Sequence, residues 1–547
     1  MSKRRRYFDD LPGVKAPRAN FNLSHRVATT MKPGLLHPIK VVEVLPGDTW
    51  SVDSAQLVKL VTPLVRPIMD DVYLDTYSFF VPLRLCMSQL EDVFGDSSPS
   101  AYDSQDLVTI PTVTIQKDAS GTLVPFAGTV WDYLGAVVDD VFPASRGYSE
   151  QYSVLPVRAF ALIWNEYFRN QQIDQEVNVN MASTASLQSE GPNNNPWSAT
   201  NYGGKLPPVR RYGDYFSTAM LAPQKGPAVK IPIQGTPLIT DTSLHDVGQI
   251  RFGNSANPGS ILIGNLGLSS GGLFADNSSF AGDNSIDRTN LVVGDAPDGT
   301  INALRTAFQL QKYLERDAFY GSRYREYLYS AFGVFSQDAR VQVPEFLGGT
   351  HNRLQIAQIM STASTTDVAQ GQFSGQISSL SEKNLRFSKS IPEHGYIITV
   401  ACIRYKHLYS QAVQKLWFRK RREDFYDRLF SNLGQKAITV SELIGASGLQ
   451  SVFGYQENFA EYRTIFDSVT GQMRPMQGNT GQYWSLADRF DDAPTLSDVV
   501  HEQTDSFDRV LAATTSTVDP FIVDFNFRCS VARVVSPYSM PGFADHH

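Results

Sequence analysis

The chain has 547 residues, with 48 Lys and Arg against 55 Asp and Glu, a net charge of −7 and only 19% charged residues. This length suggests several domains or a few long β-domains, and the acidic balance excludes a protein that coats nucleic acid with its whole surface. The low charged fraction points to a surface partly covered by other copies. Cys86, Cys402 and Cys529 are far apart and odd in number, which argues against a disulfide framework or a Cys-based zinc site and suits a reducing compartment. No apolar run approaches the roughly 18 residues of a membrane span. The opening MSKRRRYFDDLPG has no apolar stretch behind its cations and does not read as a signal peptide.

In chain order, residues 1–36 read as an extended basic arm. Lys3, Arg4, Arg5 and Arg6 are followed by Lys15, Arg18, Arg26 and Lys32, the only acids are Asp9 and Asp10, and Pro12, Pro17 and Pro33 interrupt any periodicity. Strand signals follow. Val42–Val44 and Trp50–Asp53 alternate with period two. Between them Leu45-Pro46-Gly47-Asp48 fits a type II turn and a hairpin-like connection. Val72–Val81 is β-branched and aromatic and ends at Pro82. Helical spacing appears at Val157, Phe160, Ala161, Trp164 and Phe168, with Pro156 at the start. It recurs at Ala303, Leu304, Ala307, Phe308, Gln311 and Leu314, in a helix predicted to run toward Ala331 before Gly333. Tyr396–Ile403 is a short apolar run suited to a fully buried strand, and Leu408–Phe430 reads as a further helix. Near the end, Phe521, Val523, Phe525, Phe527, Cys529 and Val531 alternate with polar residues, the pattern of a half-buried strand. Helices inserted between β segments, rather than alternating with them, indicate a β-fold with long excursions.

Three stretches break composition. Residues 180–205 are rich in Asn, Ser and Gly, and 361–380 in Ser, Thr, Gln and Gly. The longest, 231–300, has no Lys, only Arg251 and Arg288 as Arg, and scattered Asp. It is not purely polar: Ile261, Leu262, Ile263, Leu266, Leu268, Leu273 and Phe274 form an apolar stretch that a lone solvated loop would expose.

No catalytic motif is legible. There is no phosphate-cradling glycine loop and no dinucleotide fingerprint, His501-Glu502 lacks a second zinc-binding His, and no usable nucleophile elbow occurs. The histidines have no partner at metal-ligand spacing apart from the terminal pair, and Asp70-Asp71 and Asp491-Asp492 are bare pairs better read as solvated loops. The basic stretch Arg419–Arg422 follows Leu416, Trp417 and Phe418. Such interleaving binds single strands in some proteins, and in others is an amphipathic helix with solvated cations.

His37-Pro38 through Leu45-Pro46-Gly47-Asp48-Thr49, then Asp75–Pro82, Ala222–Pro227, Arg421–Tyr426 with Leu433-Gly434-Gln435, and finally Pro537–Gly542 form an ordered series over nearly the whole chain. In that order and spacing the sequence resembles the major capsid proteins of the Microviridae, specifically the gokushovirus branch. The resemblance implies a mainly β protein: an eight-stranded antiparallel jelly roll with large helix-containing and loop insertions. It divides the chain into the arm 1–36, a first core part 37–230, a variable surface insertion 231–300 and a second core part 301–547. It further implies a T=1 icosahedral shell of identical copies enclosing a circular single-stranded DNA genome. Lys3, Arg4, Arg5 and Arg6 would lie toward that DNA, and residues 231–300 would form a three-fold protrusion facing a bacterial host receptor. Small internal DNA-binding and scaffolding or pilot proteins would be further partners, with assembly in the host cytoplasm. No cofactor, metal or catalytic residue is implied. Two other classes fit the residues taken alone: a phage adhesin or fibre, and a β-sandwich enzyme acting on polysaccharide through carboxylates joined only by the fold.

Overall fold

The computed structural model describes residues 18–94, 108–116, 127–136, 149–229, 301–360, 362 and 383–537 apart from 446–450, 477, 503 and 517. It also describes the strand backbones at 239–240, 266–269, 272–275, 292–293 and 373–380. The fold is mainly β, built on two antiparallel sheets of five strands each. Their strands, in chain order, are β1 (Ala19–Asn22), β2 (His25–Met31), β3 (His37–Val44), β4 (Thr49–Leu60), β5 (Val72–Pro82), β6 (Glu345–Met360), β7 (Phe373–Leu380), β8 (Leu385–Ser390), β9 (Gly395–Tyr405) and β10 (Phe521–Arg533). In the first sheet β10 lies between β4 and an edge made by β2 and β1 end to end, and β8 flanks β4; the second runs β7-β6-β5-β9-β3.

The two sheets share one core. Trp50, Val52 and Val58 of β4 and the odd-numbered apolar residues of β10 meet Leu74 and Phe80 of β5 and Ile397, Ala401 and Ile403 of β9. Register explains the alternation in β10: Phe521, Val523, Cys529 and Val531 sit opposite Leu60, Val58, Val52 and Trp50, so all point inward together. The even positions Ile522, Asn526, Arg528 and Ser530 are exposed. β9 has a different fate. Its other side, Ile398, Val400 and Cys402, enters a second core with Phe79, Val81 and the helix α1 (Leu155–Ile163). A strand covered on both faces reads as a continuous apolar run, which is why Tyr396–Ile403 lacks period-two contrast.

The connections between strands depart from several expectations. Gly47 does adopt φ 85°, and the Asp48 amide donates to the Leu45 carbonyl at 3.1 Å, so the Leu45–Asp48 turn forms. It is not a hairpin, however: β3 pairs with β9, and β4 pairs with β10 and β8. The turn carries the chain from one sheet to the other. Asp48, fully buried, fixes it by accepting from the Leu45 amide at 3.1 Å, the Trp50 indole at 3.2 Å and the Arg533 guanidinium at 2.6 Å. The helix predicted from Ala303 toward Ala331 is two helices, α2 (Ile301–Tyr320) and α3 (Tyr324–Phe332), separated at Gly321 with φ +94° and closed at Gly333 with φ 67°. The Ser/Thr/Gln/Gly-rich stretch 361–380 contributes β7, held by backbone pairing with β6 despite its composition. Within the segment predicted as an arm, β1 and β2 form strands beside β10.

Residues Gln224–Phe319 separate as a second compact unit, with the rest of the chain forming the first. In that second unit Leu266–Ser269 and Gly272–Ala275 pair antiparallel, with Leu268 opposite Leu273 and Gly267 opposite Phe274.

The alternation in β10 gives a direct test. Phe525→Ala removes a fully buried ring from the shared core, and unfolding of the full chain in urea should show a loss of about 3–5 kcal/mol. Asn526→Ala, one residue on and exposed, should change stability by no more than about 0.5 kcal/mol.

Candidate functional site

Two long excursions leave the sandwich, one between Pro82 and Glu345 and one between Tyr405 and Phe521. Each is anchored by a buried ionic cluster. In the first, Arg158 on α1 and Glu190 are both fully buried and meet at 2.6 Å. Arg158 also donates to the carbonyls of Cys86, Ala182 and Thr184 at 3.2, 2.9 and 2.9 Å. Glu190 accepts from the Ser186 amide at 2.8 Å and the Tyr202 hydroxyl at 2.7 Å. The Asn/Ser/Gly-rich 180–205 segment thus wraps a charged pair whose polar atoms all find partners, the condition for burying charge.

In the second excursion, His407 lies between two carboxylates. Its Nδ1 is 2.9 Å from Asp488 and its Nε2 is 2.7 Å from Glu502, and Arg211 meets the same Asp488 at 2.5 Å. Burial alone lowers the pKa of His407, but the Asp488 and Glu502 carboxylates outweigh it and raise it to about 9. Burial pushes Asp488 upward, and His407 and Arg211 overcome this and hold it well below the usual carboxylate range. These partners are 81 to 277 positions apart in sequence, so no local spacing reveals them.

Between His407 and β10 the chain presents an exposed apolar segment. Leu408–Phe430 is not a helix. It contains only short 3-10 turns at Lys415–Phe418, Arg422–Asp424 and Arg428–Phe430. Its backbone is bonded elsewhere: the Val413 amide donates to the Glu442 carbonyl at 2.8 Å, and the Gln411 side chain exchanges bonds with Phe490 at 2.9 and 2.8 Å. The Asp424 carboxylate takes the Lys420 and Arg421 amides, both at 2.8 Å, and Asp427 takes Leu429 at 2.9 Å. Short polar side chains competing for the backbone end a helix before it starts.

The side chains of this segment point outward. Trp417 is 76% and Leu429 84% exposed, and Leu416, Phe425, Tyr426 and Leu433 are also uncovered. Two cations are exceptions: Arg419 pairs with Glu461 at 3.4 Å and lies over the Tyr462 ring at 4.6 Å, and Lys415 pairs with Glu442 at 3.8 Å. Beside it a cavity of about 250 Å³ is lined by Tyr215, Leu416, Arg419, Glu442, Ile465 and Phe466 among others. An aromatic and aliphatic surface of this kind, rimmed by Lys420, Arg421 and Arg422, has the composition of a protein interface core with a charged rim.

Lys3, Arg4, Arg5 and Arg6, and likewise Ile261, Leu262 and Ile263, lie outside the described residues. Leu266, Leu268, Leu273 and Phe274 fall on the hairpin of the second unit, which sets Leu268 against Leu273. Among the described residues no cluster of His, Cys, Asp and Glu could hold a metal ion, and no helix is long and apolar enough to cross a membrane. The Cys86 and Cys402 thiols are buried and pushed up to about 12, which keeps them protonated and inert.

Comparison with known proteins now settles the family. The model of the phage capsid protein (F protein) family matches residues 9–543. The chain belongs to that family. It is 32% identical to capsid protein VP1 of Spiroplasma virus 4, over 98% of this chain and 97% of the relative. It is 33% identical to capsid protein VP1 of Bdellovibrio phage phiMH2K and 30% identical to that of Chlamydia phage 1, each over 98% of this chain and 97% of the relative. The chain is therefore a bacteriophage capsid protein of the gokushovirus branch of the Microviridae, a structural component of the virion and not an enzyme.

The His407 cluster has a pH signature. A histidine whose folded pKa is raised stabilises fully below its ordinary value of 6.5, and that stability is lost as pH rises through about 9. The thermal midpoint of the full chain should therefore fall between pH 7 and pH 10, and His407→Gln, already destabilised at pH 7, should show a much smaller fall. Equal falls in both proteins would place the alkaline transition in another group.

Proposed function

We propose that this capsid protein is the major subunit of a closed T=1 icosahedral shell around a circular single-stranded DNA genome. Its body would be an eight-stranded jelly roll. The support for that fold is the pairing order, β2-β10-β4-β8 in one sheet and β3-β9-β5-β6 in the other, two four-stranded layers in which strands distant in sequence lie side by side, as two interlocked Greek keys require. β1 and β7 would be additions at the edges.

The observation that carries the assembly reading is the exposed segment Leu416–Leu433. A monomer that left Trp417 and Leu429 in water would aggregate. A shell buries such residues against neighbouring copies, and a heterologous contact yields a closed particle when its geometry closes. Leu429→Asp tests this without touching the core. The variant chain should keep the wild-type circular dichroism spectrum but fail to form uniform particles in negative-stain images. Normal shells from that variant would remove the segment from the assembly contacts.

Residues 231–300 would be the surface insertion that contributes to host attachment. Its lack of Lys and its scattered Asp make it a poor partner for phosphate, and it falls within a compact unit of its own, Gln224–Phe319. Ile261, Leu262, Ile263 and the hairpin residues Leu266, Leu268, Leu273 and Phe274 would pack between symmetry-related copies. Replacing 240–295 by a short Gly/Ser linker costs little in loop closure, so particles should assemble while adsorption to host cells is lost. Normal adsorption would refute the attachment role, and absent particles would make the insertion part of the shell contacts instead. The arm residues Lys3, Arg4, Arg5 and Arg6 would hold the packaged DNA without sequence preference.

A further inference from the structure

The two sheets are treated differently by the rest of the chain. The second has its outer face covered by α1 and neighbouring segments, which bury Phe79, Val81, Ile398 and Val400. The first has β10 exposed at every second residue from Ile522 to Ser530, apart from the half-buried Asp524. Cross-strand register defines what that open face displays. Arg528 lies opposite Asp53, which lies opposite Arg386; the next row is Asn22, Ser530, Ser51 and Ser388. On the other side of Arg528 come Arg26 beside Asn526, and then Lys59 beside Ile522.

Four cations, Arg26, Lys59, Arg386 and Arg528, therefore share one face with two acids, Asp53 and Asp524. The acids are engaged: Asp524 pairs with Arg26 at 2.6 Å and Asp53 with Arg386 at 3.2 Å. Among the described residues Lys59 and Arg528 have no ion-pair partner. The face is positive in a protein whose net charge is −7. Its remaining surface is largely Ser, Thr, Asn and Ala, short side chains that let a flat backbone come close, with Leu57 and Ile522 as its exposed apolar residues. Protein interfaces concentrate aromatic residues at their core, and exposed aromatics stand on Leu416–Leu433, at Trp417, Phe418, Phe425 and Tyr426, not on this face. Arg and Lys interspersed with Ser, Thr and Asn is instead the donor set that holds phosphate oxygens. The chain's own basic N-terminal residues start from this sheet, since Arg18 leads directly into β1 at its edge.

We infer that the open face of the first sheet is a phosphate-binding surface for the single-stranded nucleic acid, with Arg528 and Lys59 as the free cations and Arg26 and Arg386 held in place by their acids. The inference rests on the shell-and-genome reading and adds to the arm a fixed, folded contact. Having no aromatic side chain on it, the face would bind by charge and hydrogen bonding and would not discriminate sequence.

The test measures binding of a fluorescent oligothymidylate to the full-length chain across a salt series. Three proteins are compared: wild type, Arg528→Gln with Lys59→Gln, and the arm variant with Lys3, Arg4, Arg5 and Arg6 all changed to Ala. Each phosphate contact contributes about 0.7 to the slope of log affinity against log salt for single strands. Loss of two should shallow the slope by about 1.4, and Arg528→Lys with Lys59→Arg should restore it, at unchanged thermal midpoint. If the arm variant shallows the slope while the face variant keeps the wild-type value, the face is not a DNA contact and only this inference falls. If neither variant changes the slope, the DNA-binding reading of the chain falls with it. A face variant that loses particle assembly at an unchanged slope would show that a second copy covers the face, which also overturns the inference.

Discussion

The fold depends on one long-range event: insertion of β10 between β2 and β4. Phe521–Arg533 pairs with His25–Met31 on one side and Thr49–Leu60 on the other, so the core needs strands from opposite ends of the chain. Closing so long a loop costs entropy that local contacts cannot offset in advance. The return comes from side chains: Phe521, Val523, Phe525 and Val531 are fully buried and find Trp50, Val58 and Met31 in register. A slip of one residue would turn this whole apolar set to solvent and bury Asp524 and Arg528. The alternation thus specifies the partner as well as the strand.

Once that sandwich is closed, its two outer faces are free to diverge. The second sheet gains a layer from the first excursion, so β5 and β9 must be apolar on both sides. Most polar groups kept there are paired, as with the Ser78 and Thr399 hydroxyls 2.8 Å apart and Asp75 held by Arg404 at 2.8 Å. The first sheet gains no such layer and can remain polar. An antiparallel sheet tolerates one wet face, whereas an exposed apolar one would invite aggregation. An exposed aromatic cluster is instead on the second excursion, at Leu416–Leu433, while Lys59 and Arg528 stand on the open sheet.

Much of this was legible in the sequence, for physical reasons that differ by element. β10 and β9 were readable because burial on one face or two leaves a direct imprint on the apolar pattern. The Leu45–Asp48 turn was readable because Gly47 supplies the positive φ, but its role was not, since a turn within one sheet and a corner between two use the same four residues. The helix predicted over Leu408–Phe430 fails because its aromatic and basic spacing resembles an amphipathic stripe, while Asp424, Asp427 and Gln411 commit the backbone to other bonds. β7 was hidden by a composition typical of loops, since pairing with β6 supplies what propensity does not. The clusters around Arg158 and His407 left no signal at all, because charges that meet only in the folded state have no characteristic spacing.

Those two clusters explain how the sandwich supports such long insertions. An excursion with little regular structure has few backbone ladders of its own, so its polar groups need other partners. Arg158 supplies them in the first excursion by donating to three carbonyls at once. In the second, Arg211 reaches across to the His501 carbonyl at 2.8 Å, and Ser506 to Asp488 at 3.2 Å. A buried cation that serves several carbonyls fixes a loop more sharply than apolar contacts, because each bond has a direction and an unmade one is costly. For a subunit that must present the same edge to every neighbour, such fixed loops matter more than their net contribution to stability. Replacing Arg158 and Glu190 together by apolar residues of similar volume removes the cost of burying the charges, but three carbonyls, an amide and a hydroxyl would lose their partners and the 180–205 segment its single conformation.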